Sequence, residues 1–290
     1  MLERFNAALD LVEDAIRAGE ALDVVVLSRC AGTSEHHFRR TFSSLAGIPI
    51  GEYVRRRRMT LAAADVLTGE LTLLDVAVKH GYGSTEAFSR AFRAVHGVGA
   101  GQDRRTRPRL VSQPRVSFHL TVEGSSSMQY RIVGKQEFRV VGLKARVPLI
   151  HRGRNSAMED FVEGIDPALT EQIGALSDQE PDGVVSVTDA LDDSREEGSE
   201  LDYWHAAITT GPAPVGLEEM HVPAGTWLVL TTSHSPYPEG LQQMWPDAYA
   251  EWFPANPWRT RPGPDLLRAQ WHDDDTADAE LWLPIEPDPT

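Results

Sequence analysis

An internal repeat constrains this chain more than any other feature. Gly32 to Phe42 reads Gly-Thr-Ser-Glu-His-His-Phe-Arg-Arg-Thr-Phe, and Gly81 to Phe92 reads Gly-Tyr-Gly-Ser-Thr-Glu-Ala-Phe-Ser-Arg-Ala-Phe. Phe38, Arg40, Phe42 and Gly47 recur as Phe88, Arg90, Phe92 and Gly97, each 50 residues on. Ser28 and Gly32 recur as Ala77 and Gly81 at an offset of 49, so the second copy holds one inserted residue in its turn. A small residue four places before a glycine lets two helices approach closely, and the glycine permits the sharp turn between them. Ser34 and Ser84 are placed to cap the helix that follows. Phenylalanines at i and i+4 share one helix face and form core, which turns Arg39 and Arg40, and likewise Ser89, Arg90 and Arg93, away from it. Each copy therefore predicts a helix, a turn and an exposed second helix.

Between the copies, Gly51 to Leu67 predicts one continuous helix. Tyr53 (or Val54), Leu61, Ala64 and Leu67 would face the two copies, with Arg55-Arg56-Arg57-Arg58 outward. Leu2, Phe5, Leu9, Val12 and Ile16 predict an amphipathic first helix. The first domain, residues 1–108, is thus expected to be an all-α bundle of about seven helices. Charge supports a division of labour. The net charge is −15, yet residues 1–110 hold 16 Lys/Arg against 13 Asp/Glu, and the remainder holds 12 against 30. The first part is the half that phosphate would tolerate.

These residues resemble the AraC/XylS family of bacterial regulators over roughly residues 3–104. The second copy carries most of the likeness, in Asp75-Val76-Ala77-Val78-Lys79-His80-Gly81-Tyr82-Gly83-Ser84, Phe88-Ser89-Arg90-Ala91-Phe92-Arg93 and Gly97, with Tyr53 and Arg58 matching the linker-helix pattern. Two departures stand out. Ser28 replaces the usual alanine, and the closing serine-proline and tyrosine-arginine are Gly99-Ala100 and Asp103-Arg104. The resemblance implies a transcription regulator that sets its two second helices in adjacent major grooves of double-stranded DNA, about one turn (~34 Å) apart. Ser34, His36, Arg39, Arg40, Arg55, Ser84, Thr85, Glu86, Ser89, Arg90 and Arg93 are the DNA-binding residues it implies. Arginine reads guanine and glutamate accepts from cytosine, while other contacts go to phosphate.

Residues 109–127 read as a linker from their Arg, Pro and Ser content and the run Gly124-Ser125-Ser126-Ser127. Residues 128–290 then predict an α+β domain, a strand-helix-strand-strand unit written twice. Expected strands run from Arg131 to Val147 (one strand or a bent pair), Val184 to Val187, Tyr203 to Thr209, Met220 to Thr232 (a pair around Pro223-Ala224-Gly225), Leu266 to Trp271 and Glu280 to Ile285. Helices are expected from Asn155 to Leu176 and from Gly240 to Phe253. Phe138-Arg139-Val140-Val141-Gly142-Leu143, Tyr203-Trp204-His205-Ala206-Ala207, Val222-Pro223-Ala224-Gly225-Thr226-Trp227, Trp245 through Pro254, and Glu280-Leu281-Trp282-Leu283-Pro284-Ile285 resemble a GyrI-like small-molecule-binding domain. That resemblance implies an aromatic-lined site for a small apolar, aromatic or cationic effector. Tyr203, Trp204, Trp245, Tyr249, Trp252 and Trp271 are its candidates; Trp245, Tyr249 and Trp252 would share one helix face. Where the family often carries proline-x-x-glutamate, this chain reads Pro264-Asp265-Leu266-Leu267, so the usual acid is missing, with Glu251 or Asp265 as substitutes.

No cofactor, metal or catalytic residue is expected. Cys30 is the only cysteine, and the six histidines after residue 110 are scattered. His36 and His37 diverge by ~100° on a helix and cannot easily chelate one ion. No stretch approaches the ~20 apolar residues that cross a bilayer, no signal peptide is evident, and the expected location is cytoplasmic. The alternatives are a GyrI-like hydrolase fused to a DNA reader, or an acidic module that holds RNA polymerase, another protein or its own basic half.

Overall fold

The computed structural model describes residues 2–101, 109–118, 129–150, 152–190, 199–273 and 275–288. The chain divides into two units, residues 1–38 with 48–120, and residues 39–47 with 121–290.

In the first unit, α1 (Leu2–Ala18) buries Phe5, Leu9, Val12 and Ile16, as their spacing predicts. Helix α2 (Val24–Ala31) starts where the Asp23 carboxylate accepts from the Val25 and Val26 amides, and stops at Gly32 with φ 70°. Ser28 donates its hydroxyl to the Val25 carbonyl at 3.0 Å, so the departure from alanine is satisfied inside its own helix. Ser34 caps α3 (Glu35–Ala46), whose residues from 39 on are counted with the second unit, by accepting from the His37 amide at 3.2 Å. After α4 (Ile50–Thr68), the second copy repeats the plan. Thr72 and Asp75 form a capping box on α5 (Leu73–Lys79), and Ser84 caps α6 (Thr85–His96). Phe88 and Phe92 pack with Met59, Val66, Val76 and Ala77, while Phe38 stacks on Phe5 at 4.7 Å. The described residues before 102 hold six helices, where about seven were expected; residues 102–108 lie outside the described residues.

The turn glycine of the second copy is under tight constraint. Gly81 has φ +80°, and a Cβ there would lie 2.4 Å from the Gly19 carbonyl oxygen. Gly81→Ala should therefore combine left-handed strain with backbone overpacking, at a cost of roughly 2–5 kcal/mol. Helical circular dichroism during urea unfolding measures it; a loss below 1 kcal/mol (about the size of an ordinary surface change) would show that the turn relaxes freely.

Helix α4 faces its neighbours one residue out of the predicted register. Ile50, Tyr53, Val54, Met59, Ala62, Ala63 and Val66 are buried, whereas Leu61 is half-buried, Ala64 exposed and Leu67 46% exposed. Met59 sets the true stripe at 59, 62, 63 and 66, and the preceding run of four arginines hides it. Nor do all those arginines lie outward. Arg55 and Arg56 pair with Glu52, Arg57 with the buried Glu13, and Arg58 donates to the Glu20 carbonyl.

Residues 109–118, expected as linker, are pinned along the first unit. The Gln113 amide donates to Thr60 Oγ1 at 2.8 Å and the Val116 amide to the Tyr53 hydroxyl at 3.2 Å. Phe118 exchanges hydrogen bonds of 2.7 and 2.9 Å with the Asn6 side-chain amide. Their composition suits a loop, but their polar backbone is satisfied by side chains distant in sequence.

The second unit contains β1 (Gln129–Lys135), β2 (Phe138–Pro148), α7 (Ser156–Glu163), α8 (Pro167–Gly174), β3 (Val184–Ala190), β4 (Glu200–Thr209), β5 (Glu218–Val222) and β6 (Gly225–Pro236). Then come α9 (Glu239–Asp247), a π-helical turn (Ala248–Trp252), α10 (Phe253–Ala255), β7 (Trp258–Thr260), β8 (Asp265–Trp271) and β9 (Thr276–Pro287). They form one sheet in the order β1-β6-β9-β8-β3-β4-β2-β5, with β7 on β9. The duplicated unit is plain. β2, β3 and β4 lie in the order 2-4-3, and β6, β8 and β9 in the order 6-9-8, joined by antiparallel β3 and β8. The helix expected over 155–176 is broken in two because Asp166 caps a new helix and Pro167 begins it. Pro246 supplies no amide hydrogen to the ladder, and α9 gives way to the π turn after it. One sheet face carries a core of Phe138, Val187, Trp204, Trp227, Leu266 and Trp282. The rings of Phe138 and Trp227 lie 5.8 Å apart although four strands separate β2 from β6, so the sheet curls around that core. The other face carries clusters built with α9 and α7.

Candidate functional site

Two groups of side chains have the chemistry of recognition, one in the repeat and one on the second unit's sheet. In α6, Phe88 and Phe92 are turned inward while Glu86, Arg90 and Arg93 are exposed and Thr85 and Ser89 half-buried. Glu86, Arg90 and Arg93 stand at i, i+4 and i+7, one stripe with an acid followed by two cations, with Ser84 at its N-terminus as the cap. In α3 the matching surface is different. His36 and Arg39 are half-buried, and Ser34 is the cap. Arg40 does not point outward as its place in the repeat predicts; it is 3% exposed. Arg55, the candidate on α4, is exposed and paired to Glu52.

Arg40 falls in the segment 39–47 that belongs to the second unit, and its partner is Asp265 of the same unit. Nη1 donates to Oδ1 at 2.8 Å and Nη2 to Oδ2 at 2.5 Å, a bidentate fork. Asp265 is itself 3% exposed and accepts a further hydrogen bond from Trp245 Nε1 at 2.9 Å. The Arg40 guanidinium carbon stands 5.8 Å from the centre of the Tyr249 ring. Burial opposes the charge on Arg40, but Asp265 and Tyr249 more than offset it and hold the guanidinium above its ordinary range. Asp265, one of the two acids weighed as a substitute for the missing glutamate, is thus buried and doubly engaged. Its anchorage follows from the fold, for it begins β8 and lies opposite Thr188 of β3, which lies opposite Tyr203 of β4. Residues so paired point to one sheet face, so Tyr203, Thr188 and Asp265 form a row across the junction of the two halves. Burial, then the negative charges of Asp202 and Asp265, push the Asp189 carboxyl up. Glu251, the other substitute weighed for the acid, is exposed.

The six predicted aromatic candidates do not form one wall. Trp245 donates to Asp265, and Tyr249 lies beside Arg40. Tyr203 lies on the same face, with its hydroxyl 2.8 Å from that of Ser186 and held up in pKa by burial. Trp204, one residue on, points to the opposite face and packs with Trp227 and Trp282. Trp252 is buried against Phe253 and Tyr130. Trp271 is 49% exposed and meets the edge of Tyr237. The i, i+4, i+7 reading treated 245–252 as a regular α-helix, and the π turn removes that regularity. The histidines are less scattered than their spacing suggests, since donor atoms of His234, His272 and Asp278 all lie within 4.8 Å of one another. The two imidazoles stack nearly parallel at 4.3 Å, and Asp278 is engaged by His272 Nε2 and the His234 amide, both at 2.8 Å.

Comparison with known proteins gives two matches along the chain. A helix-turn-helix domain model matches residues 27–106, and a GyrI-like small-molecule-binding domain model matches residues 128–286. The HTH-type transcriptional activator AarP of Providencia stuartii is 35% identical over 72 residues, 25% of this chain and 53% of AarP. The regulatory protein SoxS of Salmonella typhimurium is 36% identical over 74 residues, 26% of this chain and 69% of SoxS. The chain thus spans about half the length of the first of these relatives. Among solved structures, SAV2435 bound to tetraphenylphosphonium aligns with 55% of this chain and 94% of its own, at a TM-score of 0.43 and 12% identity. No described helix is long and apolar enough to cross a membrane.

Proposed function

The chain belongs to the AraC-type helix-turn-helix regulators that carry a GyrI-like small-molecule-binding domain, and on that premise we propose that it is a sequence-specific DNA-binding transcription regulator governed by a small effector. The division of labour is residues 1–108 for DNA, 109–127 as connection and 128–290 for the effector. The observation that carries the DNA reading is α6. It is capped by Ser84, anchored by Phe88 and Phe92, and presents Glu86, Arg90 and Arg93 outward. A helix so held can lie in a major groove, with Arg90 reaching a guanine edge and Arg93 a phosphate. Its counterpart α3 reaches the adjacent groove through His36 and Arg39.

The effector site is the row of Asp265, Thr188 and Tyr203 with Trp245 and Tyr249. A buried carboxylate beside two aromatic rings suits an aromatic ligand that carries positive charge. This narrows the apolar or aromatic effector of the sequence reading. The partners are double-stranded DNA, that effector and, at a promoter, RNA polymerase. The place of action is the cytoplasm, and the role is regulatory rather than catalytic.

Footprinting on promoter fragments tests the reading. A protected site about two helical turns long is expected, with binding that survives competitor DNA. Arg90→Ala should weaken that site by roughly tenfold to a hundredfold, the worth of a lost base contact of ~1–3 kcal/mol, and relax the preference at one base pair. Equal loss on operator and random duplex would place Arg90 on phosphate instead. Binding that is wholly salt-driven and sequence-blind in the wild type would overturn the proposal.

A further inference from the structure

The two copies of the repeat place an arginine at the same position, and the structure treats the two oppositely. Arg90 is exposed on α6, while Arg40 is 3% exposed and held by Asp265. We propose that Arg40 is the resident occupant of the effector site, and that an aromatic amidinium or guanidinium ligand expels it, so that ligand binding and the release of Arg40 to DNA are one event. The inference rests on the effector reading above and adds its regulation and ligand class.

The chemistry favours that class. Asp265 offers two oxygens in a plane, and a guanidinium or amidinium answers both at once with two parallel N–H donors, which a point charge such as an ammonium does not. Trp245 Nε1 fixes the carboxylate by donating to Oδ2 at 2.9 Å, and the Tyr249 ring lies beside the cation. The resident cation is held by Asp265 and Tyr249, but its Nε is buried with no hydrogen-bond partner among the described residues. That donor is left unmet while Arg40 stays, and regains water when it leaves. Asp265 cannot form a fork with Arg40 and with a ligand together. The two states are exclusive, so whatever stabilises one destabilises the other, and the linkage is reciprocal. A ligand at Asp265 raises affinity for operator DNA, and operator DNA raises affinity for the ligand.

Benzamidine is the probe and neutral benzamide its control, each titrated calorimetrically against the full chain. Two substitutions are compared with the wild type, Arg40→Gln and Asp265→Asn, with Arg40→Met in reserve should Arg40→Gln fail to fold by circular dichroism. Removing the resident cation should tighten benzamidine binding about tenfold, because the competent state is no longer a minor one. Asp265→Asn should abolish benzamidine binding and, on the operator found by footprinting, bind DNA several-fold more tightly than wild type with no response to benzamidine. Equal benzamidine affinity in the wild type and both Arg40 variants overturns the proposal. So does benzamide binding as well as benzamidine throughout, which would leave an aromatic effector site without the exchange. If no variant binds either compound, Arg40→Gln included, the effector site itself is misplaced and the exchange falls with it.

Discussion

Replacing Trp282 by alanine is expected to destabilise the second unit by ~3–5 kcal/mol, the range for deleting a large aromatic from a closed core. Trp282 is 0% exposed and packs in the curled face of the sheet with Trp227, Trp204 and Leu266. Its face also meets the Arg131 guanidinium at 4.9 Å and the Lys135 ammonium at 5.5 Å, so the substitution removes cation–π contacts along with packing. The curl makes collapse difficult, because strands on both sides of the void are tied by continuous antiparallel ladders. All seven tryptophans lie in residues 121–290, so indole fluorescence during urea unfolding reports on this unit alone, with six reporters left in the variant. Trp282→Phe should recover part of the loss. A midpoint within experimental scatter of wild type for Trp282→Ala would mean that the sheet closes over the gap.

The second large effect concerns Glu13, which is 1% exposed in α1. Its carboxylate accepts from the Tyr53 hydroxyl at 2.5 Å and from Arg57 Nε at 3.1 Å. Glu13→Ala removes the carboxylate from Arg57, which keeps only the Gln113 carbonyl among the described residues, and from the Tyr53 hydroxyl, and a loss of ~3–5 kcal/mol is expected, as for other buried pairs broken on one side. Glu13→Gln keeps one acceptor and should lose less. The same cluster predicts a pH effect. Burial, then the hydrogen bond to Glu13, push the Tyr53 hydroxyl up to about 12. Its unfolded value is about 10, so the folded state binds the proton more tightly. The stabilisation is complete below pH ~10 and is lost as pH rises from there to about 12. Tyr53→Phe should flatten that part of the stability profile, read by helical circular dichroism; an unchanged alkaline slope would assign it to other groups.

Local patterns were legible and distant pairings were not. Phe38 with Phe42 and Phe88 with Phe92, the serine caps and the turn glycines are set by spacings within one turn of helix, and they fold as the repeat predicts. The doubled strand-helix-strand-strand order was legible for the same reason, since each strand carries its own run of apolar residues. The face of α4 was misread because four arginines interrupt its stripe before Met59. The ordered path of residues 109–118 depends on Asn6, Tyr53 and Thr60, which nothing in that segment's composition reveals. The proposed effector site was half legible. Helical spacing singles out Trp245 and Tyr249, the aromatic part of the proposed site, but Asp265 acquires meaning only through β3 beside it and through Arg40, 225 residues away in sequence. Arg40 itself looked like Arg90 because a repeat shows what two segments share and is silent about what each packs against.

The row through Tyr203, Thr188 and Asp265 has a mechanical consequence. Each half of the second unit is stitched internally by long ladders, such as Arg139 to Pro148 along β4 and Thr226 to Thr232 along β9. The halves are joined to one another through the short pairing of Ser186–Thr188 with Asp265–Leu267. Asp265 is the first rung of that seam. A ligand that pulls on its carboxylate therefore acts at the fulcrum between two stiff leaves, where a small change in tilt at the rung becomes a larger displacement at their outer edges.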